Sequence, residues 1–549
     1  MKRRGDIMKK RLFKAAAAGM AFVMCLSMAG CGSGTTPTAT MDAASAEGTE
    51  GSAAGNTADN TGSSDDAFEI ELTTAPVGLH PLKTNDAPSQ YVAEQIYETL
   101  YLRSEDGTSY EPLLAEELPE FSEDGLTAII HLRKNVTFQD GTPFTSADVA
   151  YMIDSLKDTS YGSQRPSIVE SIESYECPDD NTIILHLAYN DGVLTAKLAH
   201  SNGAIVNSKL EKSGQDFLVD PTGAGTGPYK FVSATAGSEY TLEANEDYWG
   251  GAPAIKKVHY SIVTDESTAI ARLQTGEADF CPNMSSDSFS TISSIAGYTA
   301  GNAETSTVYY LQARSDETAL NDLMANPDFR KAIFESFDYQ TYCDTMLNGL
   351  ASYSASLVGS TLVGYTEAME DAGVSYDPED AKAIIEENGW TGEKVTILAA
   401  TRDWQQNVAV YLQSQLQDIG LEADIISEEW ATFLDDAKTD DYFDITILSW
   451  SNVTGDGQQM LEPNFSTKNG TRAKYNNADF DALVDASAKT TDLAERQQYM
   501  LEAVQMIQGD YVAEPLYNPD QIYCYNSTDY GNVNIAKDGL FYIKNFTLN

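Results

Sequence analysis

The sequence predicts an α/β chain of two or more lobes. Three observations carry that reading. At 549 residues the chain exceeds what one hydrophobic core usually serves. Its first half interleaves alternating apolar and polar strands with helices, a mixed pattern. Its second half runs strand, helix, strand, helix, strand, the order of a parallel sheet with crossovers.

The N-terminus stands apart from both halves. Seven basic residues between Lys2 and Lys14 precede an apolar run from Ala15 to Ala29. That is a signal-peptide pattern, and the run is too short to span a bilayer. It ends in LSMAGCGSG, where Ala29 and Gly30 before Cys31 resemble a bacterial lipobox, with Met28 in place of the usual leucine. Cys31 is the expected lipidation site, holding the chain to the membrane by a lipid anchor alone. From Gly32 to Asp66 the residues are mostly Gly, Ser, Thr, Ala, Asn and acids, a composition that cannot offset its own ordering entropy. This stretch reads as a flexible tether.

In the first half, TAIIHL (Thr127 to Leu132) and TIILHL (Thr182 to Leu187) alternate as half-buried strands do. Thr145 and Asp148 form a capping box before ADVAYMIDSLK, whose Val149, Met152, Ile153 and Leu156 share one face. GTGPYKFVS (Gly225 to Ser233) invites a phosphate-loop reading and fails it. Gly227 is followed by Pro228 and Tyr229, without the lysine and hydroxyl that complete such a loop, and proline removes a backbone donor. In the second half come KVTILAA (Lys394 to Ala400), a helix from Trp404 to Ile419 closed by Gly420, LEADIIS (Leu421 to Ser427), a helix from Trp430 to Lys438, and FDITILSW (Phe443 to Trp450). Ligands of open parallel sheets sit beyond the carboxyl ends of the strands. Position alone therefore nominates Arg402, Glu428 and the segment after Trp450.

Composition excludes several functions. With 34 basic and 83 acidic residues the formal charge is −49, so nucleic acid is a poor partner. No GxSxG, HExxH or CxxC motif occurs, and the five histidines lie singly on strand-like or loop segments. No metal site, cofactor or catalytic residue is expected. Cys177, Cys281, Cys343 and Cys524 lie far apart, and their pairing stays open.

GTGPYKFVS, followed by LEANEDYWGG and KKVHYSIVTDESTAIARLQTGEADF, resembles the signature of the family 5 extracellular solute-binding proteins, the peptide, dipeptide and nickel receptors of ABC importers. LHPLKTNDAPSQYVAEQIYETLY, LRKNVTFQDGTPFTSADVAYMIDSL, NPDFRKAIFESFDYQTYCDTMLNG and ERQQYMLEAVQMI extend the resemblance over nearly all of Ala67 to Asn549. It implies an α/β, two-lobed periplasmic-binding-protein-like fold of type II with an extra subdomain in the first lobe and a ligand cleft between the lobes. The implied divisions are a signal peptide over 1–30, a lipid-anchored linker over 31–66, a first lobe over 67–302, a second over 303–514, and completion of the first by 515–549. The implied role is capture of short peptides, as a monomer, and delivery to a permease and ATPase complex by lobe closure. An oligosaccharide receptor of the same family, a metal-chelate ligand, and a surface-anchored hydrolase using paired acids are the alternatives.

In the family's dipeptide receptors the ligand's carboxylate meets an arginine shortly after a second-lobe strand. Its amino group meets an aspartate just after a tryptophan ending a later strand. The resemblance carries these roles to Arg402 and Asp456, although an aspartate directly after the tryptophan motif would fall near Val453. Trp404, Trp430 and Trp450 fall near the same sheet edge, where aromatic walls tolerate varied side chains.

Overall fold

The computed structural model describes residues 67–469 and 472–549. The signal pattern, the tether and Cys31 lie outside the described residues. Among those described, twelve strands join one sheet, and strand Ala513–Asn526 organises it. The first half of this strand pairs antiparallel with Thr307–Ala313, placing Ala513 opposite Gln312 and Tyr517 opposite Tyr309. The second half pairs with Tyr298–Glu304, placing Asp520 opposite Glu304, and with Phe280–Met284. Fourteen residues span about 45 Å at strand rise, enough to serve two cores.

The second lobe follows the crossover pattern. Lys394–Ala400 pairs in parallel with Glu422–Glu428 on one side and Ile445–Ser451 on the other. Helices Asp403–Asp418 and Trp430–Asp436 make the connections. Both faces of this sheet are covered, so alternate residues feed separate cores. Val395, Ile397 and Ala399 enter one, while Leu398 and Ala400 enter the other.

The first lobe holds strand Phe68–Leu72 in parallel with Lys257–Ile262. Its core also takes Val533, Ile535, Phe541 and Phe546 from the chain's end, with the Phe541 ring 5.1 Å from that of Phe280. A separate four-stranded sheet contains Thr127–His131 and Thr182–Leu187, paired antiparallel. Beside it, helix Ser146–Lys157 opens on the capping box, the Thr145 amide donating to Asp148 Oδ2 at 3.0 Å. The four described cysteines are free thiols, Cys177 exposed and the others buried.

The GTGPY turn is a packing device. The Gly227 amide donates to the Ile96 carbonyl at 2.8 Å, where helix Ala87–Ile96 ends. A Cβ on Gly225 would lie 1.9 Å from that same oxygen, so only glycine admits the approach. Close by, the buried Glu98 accepts from Thr226 Oγ1 at 2.8 Å, Tyr248 OH at 2.5 Å and Trp249 Nε1 at 2.8 Å. Two stretches about twenty residues apart thus meet on one carboxylate, whose pKa burial nonetheless raises.

Gly225→Ala should destabilise the first lobe by about 3 kcal/mol, because backbone rather than a pliant side chain faces the added methyl. Urea unfolding checks it, and an unchanged midpoint would contradict the packing role. A second expectation concerns Glu514, the second residue of the long strand, whose buried carboxylate accepts from the Val374 amide at 2.8 Å and Gln508 Nε2 at 3.1 Å. Burial raises its pKa to about 8, against those two donors. The folded state therefore holds the proton more tightly than the unfolded chain. The resulting stability is fully present below the ordinary glutamate pKa and is lost as pH rises through about 8. Between pH 5 and 9 the melting temperature should fall less for Glu514→Gln than for the unaltered chain, by about 2 °C or more.

Candidate functional site

The chain crosses between its cores at Glu304–Thr307 and again near Tyr517–Asp520. The two crossings are tied together. Thr305 Oγ1 donates to the Pro519 carbonyl at 3.1 Å, and Asn518 Nδ2 donates to that of Thr307 at 2.9 Å. Beside them lies a cavity of about 280 Å³. Its walls come from helix Ala87–Ile96, the hairpin holding Arg103 and Tyr110, the loop around Arg165 and the tail around Asp538. The second lobe contributes the stretches near Thr305 and Thr454.

Local structure sets each wall. Asp86 caps the helix by accepting from the Ser89 amide at 3.0 Å, which places Gln90 and Glu94, four residues apart, toward the cavity. Gln90 donates to Ser201 Oγ at 2.8 Å. Glu94 makes no hydrogen bond or ion pair with a described residue. Burial, and next the charge of Asp538, push its pKa up to about 8, with Lys544 opposing. Arg165 Nε donates to Asn85 Oδ1 at 3.2 Å. His200 is lowered to about 3, by burial first and by Arg165 second, so it is neutral at physiological pH.

Arg103 ends the short strand Tyr101–Arg103, opposite Tyr110. Its Nε donates to the Gly107 carbonyl at 3.1 Å. Nη1 and Nη2 are buried and have no hydrogen-bond partner among the described residues. Burial lowers this group's pKa, although nearby Tyr110, Asp538 and Asp456 act the other way. The guanidinium reaches the second lobe's turn at Gly455, where φ is +72° and a Cβ would lie 2.6 Å from Arg103 Cζ.

The lobes touch on either side of the cavity. Tyr110 OH donates to the Thr454 carbonyl at 3.0 Å, and the Gly192 amide donates to that of Ala488 at 2.7 Å. A Cβ on Gly192 would stand 2.0 Å from the Thr490 carbonyl oxygen.

Of the positions nominated by sequence, the segment after Trp450 lines the 280 Å³ cavity through Ser451, Val453 and Thr454, whereas Arg402, Trp404, Glu428, Trp450 and Asp456 lie near the carboxyl edge of the second-lobe sheet and do not line it. Arg402 is exposed, its guanidinium 3.6 Å from the Trp430 ring centroid. Trp404 is half-buried against Tyr309, ring centroids 4.2 Å apart. Trp450 is half-buried against the other core, its Nε1 buried without an acceptor among the described residues. Glu428 accepts from Tyr442 OH at 2.5 Å. Asp456 is buried, and both its oxygens accept from Arg496 Nη2, at 2.7 and 2.9 Å. It lines a smaller recess of about 150 Å³ that shares Arg165, His200 and Thr454 with the main cavity.

Sequence reasoning missed Arg103, Glu94, Arg165 and Asp538. No motif flags them, and the one available signal was the scarcity of cations in so acidic a chain. Glu117, Glu120 and His131 bring three metal-type ligand atoms together, but the two glutamates are exposed and none of the three lines the cavity.

Comparison with known proteins bears on this cleft. The family model described as bacterial extracellular solute-binding proteins, family 5 Middle, matches residues 109–472. The chain is 26% identical over 474 residues to heme-binding protein A of Haemophilus influenzae, covering 80% of this chain and 85% of the relative. It is 26% identical over 442 residues to glutathione-binding protein GsiB of Salmonella choleraesuis, covering 78% and 84%. To oligopeptide-binding protein AppA of Bacillus subtilis it is 25% identical over 472 residues, covering 81% and 84%. Among solved structures, HbpA2 from Haemophilus parasuis superposes with a TM-score of 0.80 at 22% identity, over 88% of this chain and 100% of that one. The murein tripeptide binding protein MppA, in an unliganded open form, gives 0.77 at 18% identity, over 88% and 97%. These structural likenesses carry the two-lobed fold, while the relatives' names carry different ligands. With well over half of its length matched, the chain belongs to the bacterial extracellular solute-binding proteins of family 5, the non-enzymatic, extracytoplasmic binding components of ABC transporters.

Proposed function

We propose that the protein captures short peptides in the cleft and presents them, by closure of its lobes, to a membrane permease coupled to an ATPase. One observation supports this most: the cavity between the touching lobes carries both signs of charge, its lining including Arg103 and Arg165 as well as Glu94 and Asp538. A short peptide carries both signs as well. At about 280 Å³ the space falls at the small end of ligand sites, which run from roughly 300 Å³ upward. The glutathione and oligopeptide names among the relatives agree with a peptide ligand. Arg402, Trp404, Glu428 and Trp450 are proposed as a second wall, met by the parts of a ligand that reach past the cavity toward the sheet edge. Asp456, already neutralised by Arg496, is proposed to act through its turn, which carries Gly455 against Arg103.

Closure requires contacts that are stronger in the closed state. Shifting an equilibrium from 1:99 to 99:1 takes about 5.5 kcal/mol of differential affinity. Small-angle scattering with a pool of di- to tetrapeptides, binding being verified in the same sample, should show the radius of gyration fall. Gly192→Val should weaken that binding by roughly ten- to hundredfold without touching the cavity, because its side chain collides with the Thr490 carbonyl only when the lobes meet. An unchanged radius together with unchanged affinity would contradict closure.

Anchoring is proposed at Cys31, which ends an apolar run too short to span. No helix of the described residues is long and apolar enough to cross a membrane. Cys31→Ser should release the protein from cells into the medium or periplasm, whereas a variant that stays membrane-bound without incorporating labelled fatty acid would contradict the anchor.

A further inference from the structure

We propose that Arg103, in the first lobe, binds the ligand's carboxylate, and that Glu94 with Asp538 receives its ammonium group, so that the cavity selects zwitterions by end charge. The proposal rests on the peptide-receptor reading above and narrows it. Its ground is an imbalance of partners. The chain holds 83 acidic residues against 34 basic ones, so a cation has acids at hand almost anywhere. Two buried arginines show it, while a third, Arg330, is held by backbone carbonyls alone. Arg496 is held by both oxygens of Asp456, and Arg314 donates to Asp440 and to two backbone carbonyls. Arg103 donates only through Nε, and its two terminal nitrogens stay buried and unpaired among the described residues. Arg103 is one of the residues lining the cavity, and the planar fork of its guanidinium matches a carboxylate's two oxygens.

The acids near Arg103 are already engaged. Asp456 is bound by Arg496, and Asp538 accepts from the Leu540 amide at 3.0 Å and Tyr542 OH at 3.1 Å. Glu94 lines the same cavity, lacks a described partner and lies in the field of Asp538. An ammonium placed there replaces the proton that Glu94 otherwise holds. Gly455 explains why Arg103 discriminates between open and closed forms. The guanidinium is covered by this second-lobe glycine only when the lobes meet, so its bond to a ligand is sheltered from water in the closed state.

Equilibrium dialysis of the purified protein tests this with three probes: a pool of free-acid di- to tetrapeptides, the same pool C-amidated, and citrate. The free-acid pool should be retained roughly ten- to hundredfold better than the amidated pool. Arg103→Gln should abolish that difference, and Arg103→Lys should restore part of it. Thermal melting of each variant verifies the fold. Equal retention of both pools, or a difference kept in Arg103→Gln, overturns the role of Arg103 while the peptide receptor stands. Retention of citrate alone, lost in Arg103→Gln, keeps Arg103 as the anion partner and rejects peptides. Retention of none of the probes by the unaltered protein overturns both.

Discussion

The strand Ala513–Asn526 is the element on which the rest depends, because one continuous run of backbone hydrogen bonds belongs to both lobes. Its start is locked into the second lobe, where Ala513 lies opposite Gln312 and the Glu514 side chain is buried. Its end is locked into the first, where Asn526 lies opposite Tyr298. Between Tyr517 and Asp520 it passes from one partner strand to the next. The closure proposed above would therefore pivot on those few residues and on the neighbouring crossing at Glu304–Thr307, and it would open or close the cavity because the walls come from both sides.

Much of this architecture is legible in the sequence, and the reason is periodicity. Lys394–Ala400, Glu422–Glu428 and Ile445–Ser451 are short apolar runs separated by helices, a spacing that leaves few alternatives to parallel crossovers. The capping box at Thr145 and Asp148 depends on four adjacent residues, and it forms as expected. Gly225 and Gly227 declare a close approach, yet their partner, the Ile96 carbonyl, lies some 130 residues earlier and leaves no mark on the local pattern. Glu98 is harder still. It reads as one more acid in AEQIYETLY, and it becomes a buried hub when Thr226, Tyr248 and Trp249 fold onto it.

The cleft divides along the same line. The sheet-edge rule places Arg402, Trp404, Glu428 and Trp450 together because it needs strand order alone. Arg103 has no such rule behind it. In LRSEDG it looks like a solvated hairpin charge, and its burial comes from Gly455, a residue of the other lobe. Asp456 carries the converse lesson. The sequence offers a free acid after Trp450, whereas helix Leu493–Gly509 brings Arg496 onto it and neutralises it. Long-range pairing decides which charges remain available to a ligand, and spacing along a single chain does not encode it.

The proposed closure couples ligand to lobe contact about the shared strand. Hydrogen exchange at the Gly192 amide reads it most directly, because that donor's partner, the Ala488 carbonyl, lies across the cleft. Gly192 should exchange fast in the ligand-free protein and be strongly protected once a peptide is bound, with the amides of Ala513–Asn526 protected in both states. Equal protection of Gly192 with and without bound peptide would contradict it.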